Sequence, residues 1–131
     1  MSRLAFAFAL VCGLGVSLAG CTNKLSGSLD VDGKTFQPNA CRSLAPMGML
    51  GVELEAESGA RFRFHEKADG SGDAFYFAAG AKKGQHLGEC VTLSIAKQHS
   101  TVNRVTNVMG KAVVDCADPT VKGTITFENC H

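Results

Sequence analysis

The alternation of apolar and polar residues in several short runs is the feature that most constrains the fold of this chain. Residues 52–56 read Val-Glu-Leu-Glu-Ala, and residues 61–65 read Arg-Phe-Arg-Phe-His. Residues 121–128 alternate in the same way. Successive side chains of a β-strand point to opposite faces of the sheet, so each run would place its apolar side chains on one face. The pattern therefore predicts strands that are buried on one face only.

Residues typical of turns separate these runs. They occur at Asp32-Gly33, Ser58-Gly59, residues 69–73, residues 98–100 and Asp118-Pro119. The spacing gives about eight or nine short strands at intervals of about ten residues, which is typical of all-β domains. No segment after residue 24 has the period of a long helix. The sequence predicts an antiparallel β-sandwich or a small closed barrel.

Two segments interrupt this pattern. Residues 39–50 contain Pro46 and Gly48 without a clear period and are predicted to form a loop. In the second segment Val102, Val105 and Val108 recur at intervals of three, as in a helix. Its β-branched composition instead favours two strands, over residues 101–106 and 109–116.

The apolar positions of the predicted strands give a small core. Burial of each side chain contributes about 1.5–3 kcal/mol, and a domain of this size generally needs further stabilisation. The predicted core consists of Leu29, Val31, Phe36, Val52, Leu54, Phe62, Phe64, Phe75, Phe77, Val91, Leu93, Ile95, Val114, Ile125 and Phe127.

The first twenty residues have a different composition. Arg3 is followed by an apolar run over residues 4–16 and by small residues up to Gly20. This order is that of a secretion signal, which would form an N-terminal signal helix before its removal. The apolar run is shorter than the roughly 20 residues that span a bilayer.

The stretch Leu18-Ala19-Gly20-Cys21 resembles the lipobox of bacterial lipoproteins. The resemblance implies that residues 1–20 are removed and that the thiol of Cys21 carries an acyl chain such as palmitate. Residues 21–24 would then be a short lipidated tether, and residues 25–131 a single β domain. Thr22, where many lipoproteins retained at the inner membrane have Asp, implies an outer-membrane location. The alternative is an ordinary secretory signal in which Cys21 is incidental.

The charge of the chain after residue 20 is balanced. Without Arg3, twelve basic and twelve acidic residues remain. Nucleic acid is therefore not an expected partner. No second apolar stretch is long enough to span a membrane, so acylated Cys21 would be the attachment to the lipid bilayer.

Four further cysteines, Cys41, Cys90, Cys116 and Cys130, are candidates for two disulfides, because an even number in a small exported domain indicates oxidation. A zinc site of four thiolates is the alternative, but no C-x2-C pair is present. Three pairings are possible. With a turn at residues 98–100, no two of the last three cysteines would meet in a flat sheet. The expectation is therefore that the chain changes sheet near residues 107–110.

Candidate metal ligands are few. The four histidines form no H-x3-H or H-E-x2-H spacing. His131 could bind a metal through its imidazole and the terminal carboxylate, with His99 as a further donor. Met47 and Met49 carry thioethers, which prefer soft copper. The structural alternatives are exposed histidines and an apolar loop, and no cofactor is expected.

Signatures of catalysis are weak in this sequence. Residues 70–72 lack the G-x-S-x-G spacing of a nucleophile elbow, and no carboxylate pair suggests an acid–base couple. The pattern is similar to small disulfide-bonded envelope lipoproteins of unassigned function. The prediction is a non-enzymatic binding or structural β domain, anchored in the envelope, with an envelope protein, a glycan or a small ligand as partner. The alternatives are a metal-handling lipoprotein, or an inhibitor that blocks an exported hydrolase with residues 39–50.

Overall fold

The computed structural model describes residues 22–131, so the predicted signal helix and Cys21 lie outside the described residues. The described chain forms two five-stranded antiparallel sheets. This confirms the all-β prediction and the sandwich, with ten strands rather than eight or nine. Within residues 22–131, none of the helical segments has the length and apolar character needed to cross a bilayer.

The second sheet is formed from consecutive strands, whereas the first combines the first two strands of the chain with the last three. The first sheet has the order β2-β1-β10-β9-β8 and the second the order β3-β4-β5-β6-β7. The strands are β1 (Lys24–Val31), β2 (Lys34–Phe36), β3 (Pro38–Ser43), β4 (Gly51–Ala56), β5 (Arg61–Glu66), β6 (Gly72–Phe77), β7 (Gln85–His86), β8 (Val91–Val102), β9 (Val105–Ala117) and β10 (Thr120–Cys130). A 3-10 helix, Ala45–Met47, lies between β3 and β4.

The chain passes from the first sheet to the second at Gln37, between β2 and β3. The loop predicted over residues 39–50 is therefore wrong in its first part, where β3 pairs with β4. β3 is an edge strand, and Pro38 is its first residue, a position where proline removes no ladder hydrogen bond. The sequence pattern failed here because a bulge between Pro38 and Ala40 breaks the alternation.

The β8–β9 hairpin turns at Asn103 and Arg104, not at residues 98–100 as predicted. Both turn residues have positive φ, 51° and 66°, as the two central residues of a type I′ turn require. The polar residues before the turn lie instead in a bulge between Lys97 and Thr101. There the Gln98 side chain bonds Asn129 rather than turning the chain.

The true turn, together with the bulge, moves the partner of Cys90 by seven residues relative to the predicted turn and decides the disulfide pairing. Cys90 lies opposite Asp115, whose backbone N–H donates to the Cys90 carbonyl at 3.0 Å. Cys90 therefore bonds Cys116, with a Cα–Cα distance of 5.1 Å. The expected change of sheet near residues 107–110 is wrong, because β9 stays in the first sheet throughout. The other bond, Cys41–Cys130, joins β3 to β10 and so links the two sheets.

The core lies between the two sheets, and an aromatic group occupies its centre. Phe62 is fully buried and its ring lies 4.8 Å from both Phe36 and Tyr76, centroid to centroid. The predicted core is correct for most positions, and Phe77 is buried as predicted, but Phe75 and Phe77 lie on the outer face of the second sheet rather than between the sheets. Ala74 pairs with Phe64, and Tyr76 with Phe62, so these residues of β6 face the core.

Candidate functional site

The main functional candidate is formed by side chains of β6 that were expected in the core but face outward. Phe75 and Phe77 lie on the outer face of the second sheet, where they meet the side chains that β5 directs away from the core. Pairing across the two strands places Arg61 opposite Phe77, Arg63 opposite Phe75, and His65 opposite Asp73. An outer sheet face would ordinarily be polar and solvated, whereas this one combines aromatic and charged groups.

These side chains border a groove of about 380 Å³, here called the basic–aromatic groove. The segment around the 3-10 helix closes it on one side, and the segment before β7 closes it on the other. It is lined by Leu44, Met49, Arg63, His65, Phe75, Phe77, Lys83 and Gly84.

Phe77 forms the floor of the groove. Although it lies outside the core, only 7% of its surface is exposed. The guanidinium carbons of Arg61 and Arg63 lie 4.6 and 4.8 Å from the centroid of its ring, which is cation–π geometry. Gly84 lies against the same ring, and a Cβ atom there would come within 2.6 Å of it. Glycine at position 84 is therefore required for this close approach.

Glu53 holds the arginines in place. It is 7% exposed on the outer face of β4, and its Oε2 accepts from Arg63 Nε at 2.6 Å. Arg61 Nη1 lies 3.5 Å from Oε2, and Arg42 Nη2 lies 3.7 Å from Oε1. Three guanidinium groups thus approach Glu53, and Glu55 Oε2 lies 3.3 Å from Arg42 Nη2, so three positive charges face two carboxylates. Because these bonds fix the side chains in advance, little entropy is lost when a ligand binds them.

A histidine pair fixes Phe75 in a similar way. Asp73 Oδ1 lies 2.6 Å from His86 Nε2, and Asp73 Oδ2 lies 3.8 Å from His65 Nε2. The Phe75 ring packs beside both imidazoles, with centroid distances of 4.8 Å to His86 and 6.2 Å to His65. The three rings and the carboxylate form one wall that runs from the groove to the edge of the sheet at β7.

The lining defines what the groove can accept. Leu44, Met49 and Phe75 offer apolar contact, while Arg63 and Lys83 offer positive charge. Apolar walls with a few fixed polar groups are the usual composition of a ligand site. The described lining residues include no serine, threonine or cysteine that could act as a nucleophile. The arrangement suits binding of a ligand with an apolar or aromatic body and an anionic group.

The residues considered as metal ligands are separated in the structure. Met49 lines the groove, whereas Met47 is 54% exposed on the 3-10 helix. His99 is exposed in the bulge of β8, and His131 Nδ1 lies 3.2 Å from the Asn129 carbonyl oxygen. Across residues 22–131, no three or more His, Cys, Asp or Glu side chains are grouped so that they could hold a metal ion.

Sequence reasoning missed the groove, although part of the signal was present. The alternation of residues 61–65 predicts a strand whose arginine face is solvated, which does not indicate a groove. The Ser58-Gly59 turn, with strict alternation on both sides, could have paired Glu53 with Arg63, as the structure does. The signal from β6 was weak, because Ala74, Phe75, Tyr76 and Phe77 are apolar or amphipathic on both faces, and Asp73 alone, in phase with Phe75 and Phe77, indicated the outer face.

Comparison of the chain with protein-family models, with curated proteins and with solved structures returned no match. The chemistry of the groove is therefore the basis for a functional assignment. The outer face of the first sheet offers a useful contrast, because it carries a more polar depression of about 420 Å³ that includes Met109 and Lys111.

Proposed function

We propose that this protein is an envelope lipoprotein whose β-sandwich binds a partner without catalysis. The lipobox-like stretch ending at Cys21 supports the anchor, with the outer membrane as its location. The basic–aromatic groove is the observation that carries the binding role. The ligand class that fits it is an amphipathic molecule, or a segment of an envelope protein, with an apolar or aromatic body and an anionic group.

The anchor is tested by metabolic labelling. Cells that express the full chain are fed an alkyne analogue of palmitate, and the protein is isolated and its intact mass measured. The expected result is a labelled chain that begins at Cys21 and lies in the membrane fraction. The Cys21→Ser variant should lose both the label and the membrane association. An unlabelled wild-type protein in the soluble fraction would refute the anchor.

The binding site is tested with an aromatic sulfonate, 8-anilinonaphthalene-1-sulfonate, which has the expected chemistry and reports binding by its fluorescence. The groove variant carries Met49→Gln and Lys83→Glu. The matched control carries Met109→Gln and Lys111→Glu, which make the same changes on the outer face of the first sheet. We expect the groove variant to lower the affinity at least tenfold and the control to change it less than twofold. Equal losses in the two variants would contradict the assignment.

The same pair of variants identifies the natural partner. Full-length wild-type protein, the groove variant and the control are each used to capture molecules from an envelope extract. A genuine groove ligand is retained by the wild type and by the control and is lost with the groove variant. Elemental analysis of the purified protein tests the metal-handling alternative, which stoichiometric copper or zinc would favour over this proposal.

A further inference from the structure

The first described residues are fixed to the body of the domain. The Thr22 carbonyl oxygen accepts from Asn129 Nδ2 at 3.3 Å. Asn23 Nδ2 donates to the Asn129 carbonyl at 2.9 Å, and Asn23 Oδ1 accepts from the Cys41 backbone N–H at 3.1 Å. β1 begins at the next residue, Lys24. Residues 22–24, assigned from the sequence to a tether, therefore provide no free length.

Asn129, which receives this segment, is itself rigidly held. Its backbone N–H donates to Gln98 Oε1 at 2.8 Å, and its Oδ1 accepts from Gln98 Nε2 at 3.0 Å. It has a positive φ of 59°, a conformation that asparagine adopts more readily than most residues. The next residue, Cys130, is bonded to Cys41. Both sheets thus meet at the point where the N-terminal segment is attached.

We infer that this end of the sandwich rests directly on the bilayer, an inference that depends on the proposed acylation of Cys21. Consecutive Cα atoms are about 3.8 Å apart, so an acyl chain on Cys21 keeps Thr22 and its partner Asn129 at the level of the lipid headgroups. We call this region the anchoring end. It comprises Thr22, Asn23, residues 129–131 and the part of the β8–β9 hairpin beyond Lys97.

The hairpin supplies a surface suited to headgroups. Beyond Gln98 it continues to the turn at Asn103 and Arg104, which borders a shallow depression together with Ala45 and Pro46 of the 3-10 segment. Its outward residues Lys97, His99, Thr101 and Arg104 are exposed. Exposed basic side chains beside a membrane anchor are attracted to anionic lipids. Met47, the last residue of the same 3-10 helix, is an exposed apolar side chain.

The opposite end lies far from the anchor. β1 runs from Lys24 to Val31, a length of roughly 23 Å, and ends at the Asp32-Gly33 turn. Thr35 of β2 is exposed beside this turn. The groove lies nearer the anchor, since Leu44 and Met49 line it while the intervening Ala45 and Pro46 contact the hairpin region. One side of the groove is thereby placed next to the bilayer surface.

Single tryptophans can test this orientation, because the chain contains none. Thr101→Trp and Thr35→Trp make the same change at exposed strand positions of the two ends. Each full-length protein is isolated from cell membranes and placed in vesicles of phosphatidylethanolamine and phosphatidylglycerol that contain brominated acyl chains, which quench nearby tryptophan. The expected result is a blue-shifted and strongly quenched tryptophan at position 101, and an unquenched one at position 35. His99→Trp and Lys34→Trp form a second pair if either threonine variant fails to fold.

A linker variant gives the decisive control. A flexible Gly-Ser insert of about sixteen residues between Cys21 and Thr22 has a mean span of roughly 22 Å. It should leave acylation unchanged and abolish most of the quenching at position 101. Acylated protein with equal quenching at the two ends, or with the reverse pattern, would overturn the orientation and leave the anchor intact. Absence of acyl mass would instead overturn the anchor and, with it, this inference.

Discussion

Glu53 has a structural environment that its position in the sequence does not predict. Its position in an alternating strand predicts an outward, solvated side chain. In the structure it is buried beneath three arginines. An isolated buried carboxylate would be strongly unfavourable, and the guanidinium groups offset that penalty. Glu53 therefore positions the positive charge of Arg63 in the groove, although Glu53 is not among the residues that line it.

Replacement of Glu53 should lower the stability of the domain. Glu53→Gln keeps the shape of the side chain but removes the charge that Arg61 and Arg63 surround. We expect the free energy of unfolding to fall by about 1–3 kcal/mol, the usual range for loss of a buried charged hydrogen-bond partner. Urea denaturation of the oxidised protein measures this change.

The matched control is Glu55→Gln, on the same face of the same strand. Glu55 is 38% exposed and lies 3.3 Å from Arg42. Exposed ion pairs contribute about 0–1 kcal/mol, so this change should be much smaller. Equal effects of the two substitutions would show that the three arginines do not depend on Glu53.

At the scale of elements, β6 shows the limit of binary patterning. Its residues Ala74, Phe75, Tyr76 and Phe77 are apolar or amphipathic on both faces, so periodicity cannot say which face is inside. Pairing with β5 decides it, because Phe62 and Phe64 already face the core. Phe75 and Phe77 are thereby turned outward to form the groove, while Ala74 and Tyr76 face the core beside Phe64 and Phe62.

This assignment predicts that two phenylalanines differ in their role. Phe62→Ala should destabilise the domain by about 3–5 kcal/mol, as truncation of a fully buried aromatic does. Phe75→Ala should lower the free energy of unfolding by at least about 2 kcal/mol less than Phe62→Ala does, since Phe75 is partly exposed. It should, however, weaken binding of the aromatic sulfonate. Urea denaturation and dye titration of the two variants measure these effects. A severe loss of stability in the Phe75 variant would place that ring in the core after all.

The hairpin turn gives a second prediction for an element. Arg104 has a φ of 66°, a left-handed conformation that is unfavourable for residues with a Cβ. Arg104→Gly would create the Asn-Gly pair that type I′ turns prefer, and it should raise the free energy of unfolding by roughly 0.5–1 kcal/mol.

The control for this turn is Thr101→Gly in the adjoining strand. It should lower stability by about the same amount, since glycine weakens a strand. Thermal unfolding distinguishes the two variants. If Arg104→Gly lowered the melting temperature as Thr101→Gly does, the turn would not lie at residues 103 and 104.

For the molecule as a whole, the two disulfides differ in whether they join strands within one sheet or join the two sheets. Cys90–Cys116 joins neighbouring segments of one sheet and encloses a separation of 26 residues. Cys41–Cys130 joins the two sheets beside the attachment point of Thr22, over a separation of 89 residues. The second bond therefore restrains the unfolded chain more, and it is the bond that connects the proposed anchor to the second sheet.

Removal of each bond should reflect this difference. The loop-entropy relation gives about 3.5 kcal/mol for the Cys90–Cys116 loop and about 4.6 kcal/mol for the Cys41–Cys130 loop. We expect the Cys41→Ala/Cys130→Ala variant to be the less stable of the two double variants, as measured by urea denaturation without reductant. A larger loss in the Cys90→Ala/Cys116→Ala variant would mean that native contacts, rather than loop closure, dominate.

The sequence by itself determined the all-β class, limited the fold to a sandwich or a small barrel, and indicated most of the core and two disulfides. These follow from local period, turn chemistry and cysteine number, which act over a few residues or through composition. The place of the Asn103–Arg104 turn, the disulfide pairing, the outward phase of β6 and the basic–aromatic groove were decided only by the tertiary structure. Each depends on strand register, which is set by bulges and by long-range partners such as Gln98 with Asn129. A period of two identifies a strand, but it does not say which neighbour the strand pairs with or which of two apolar faces is buried.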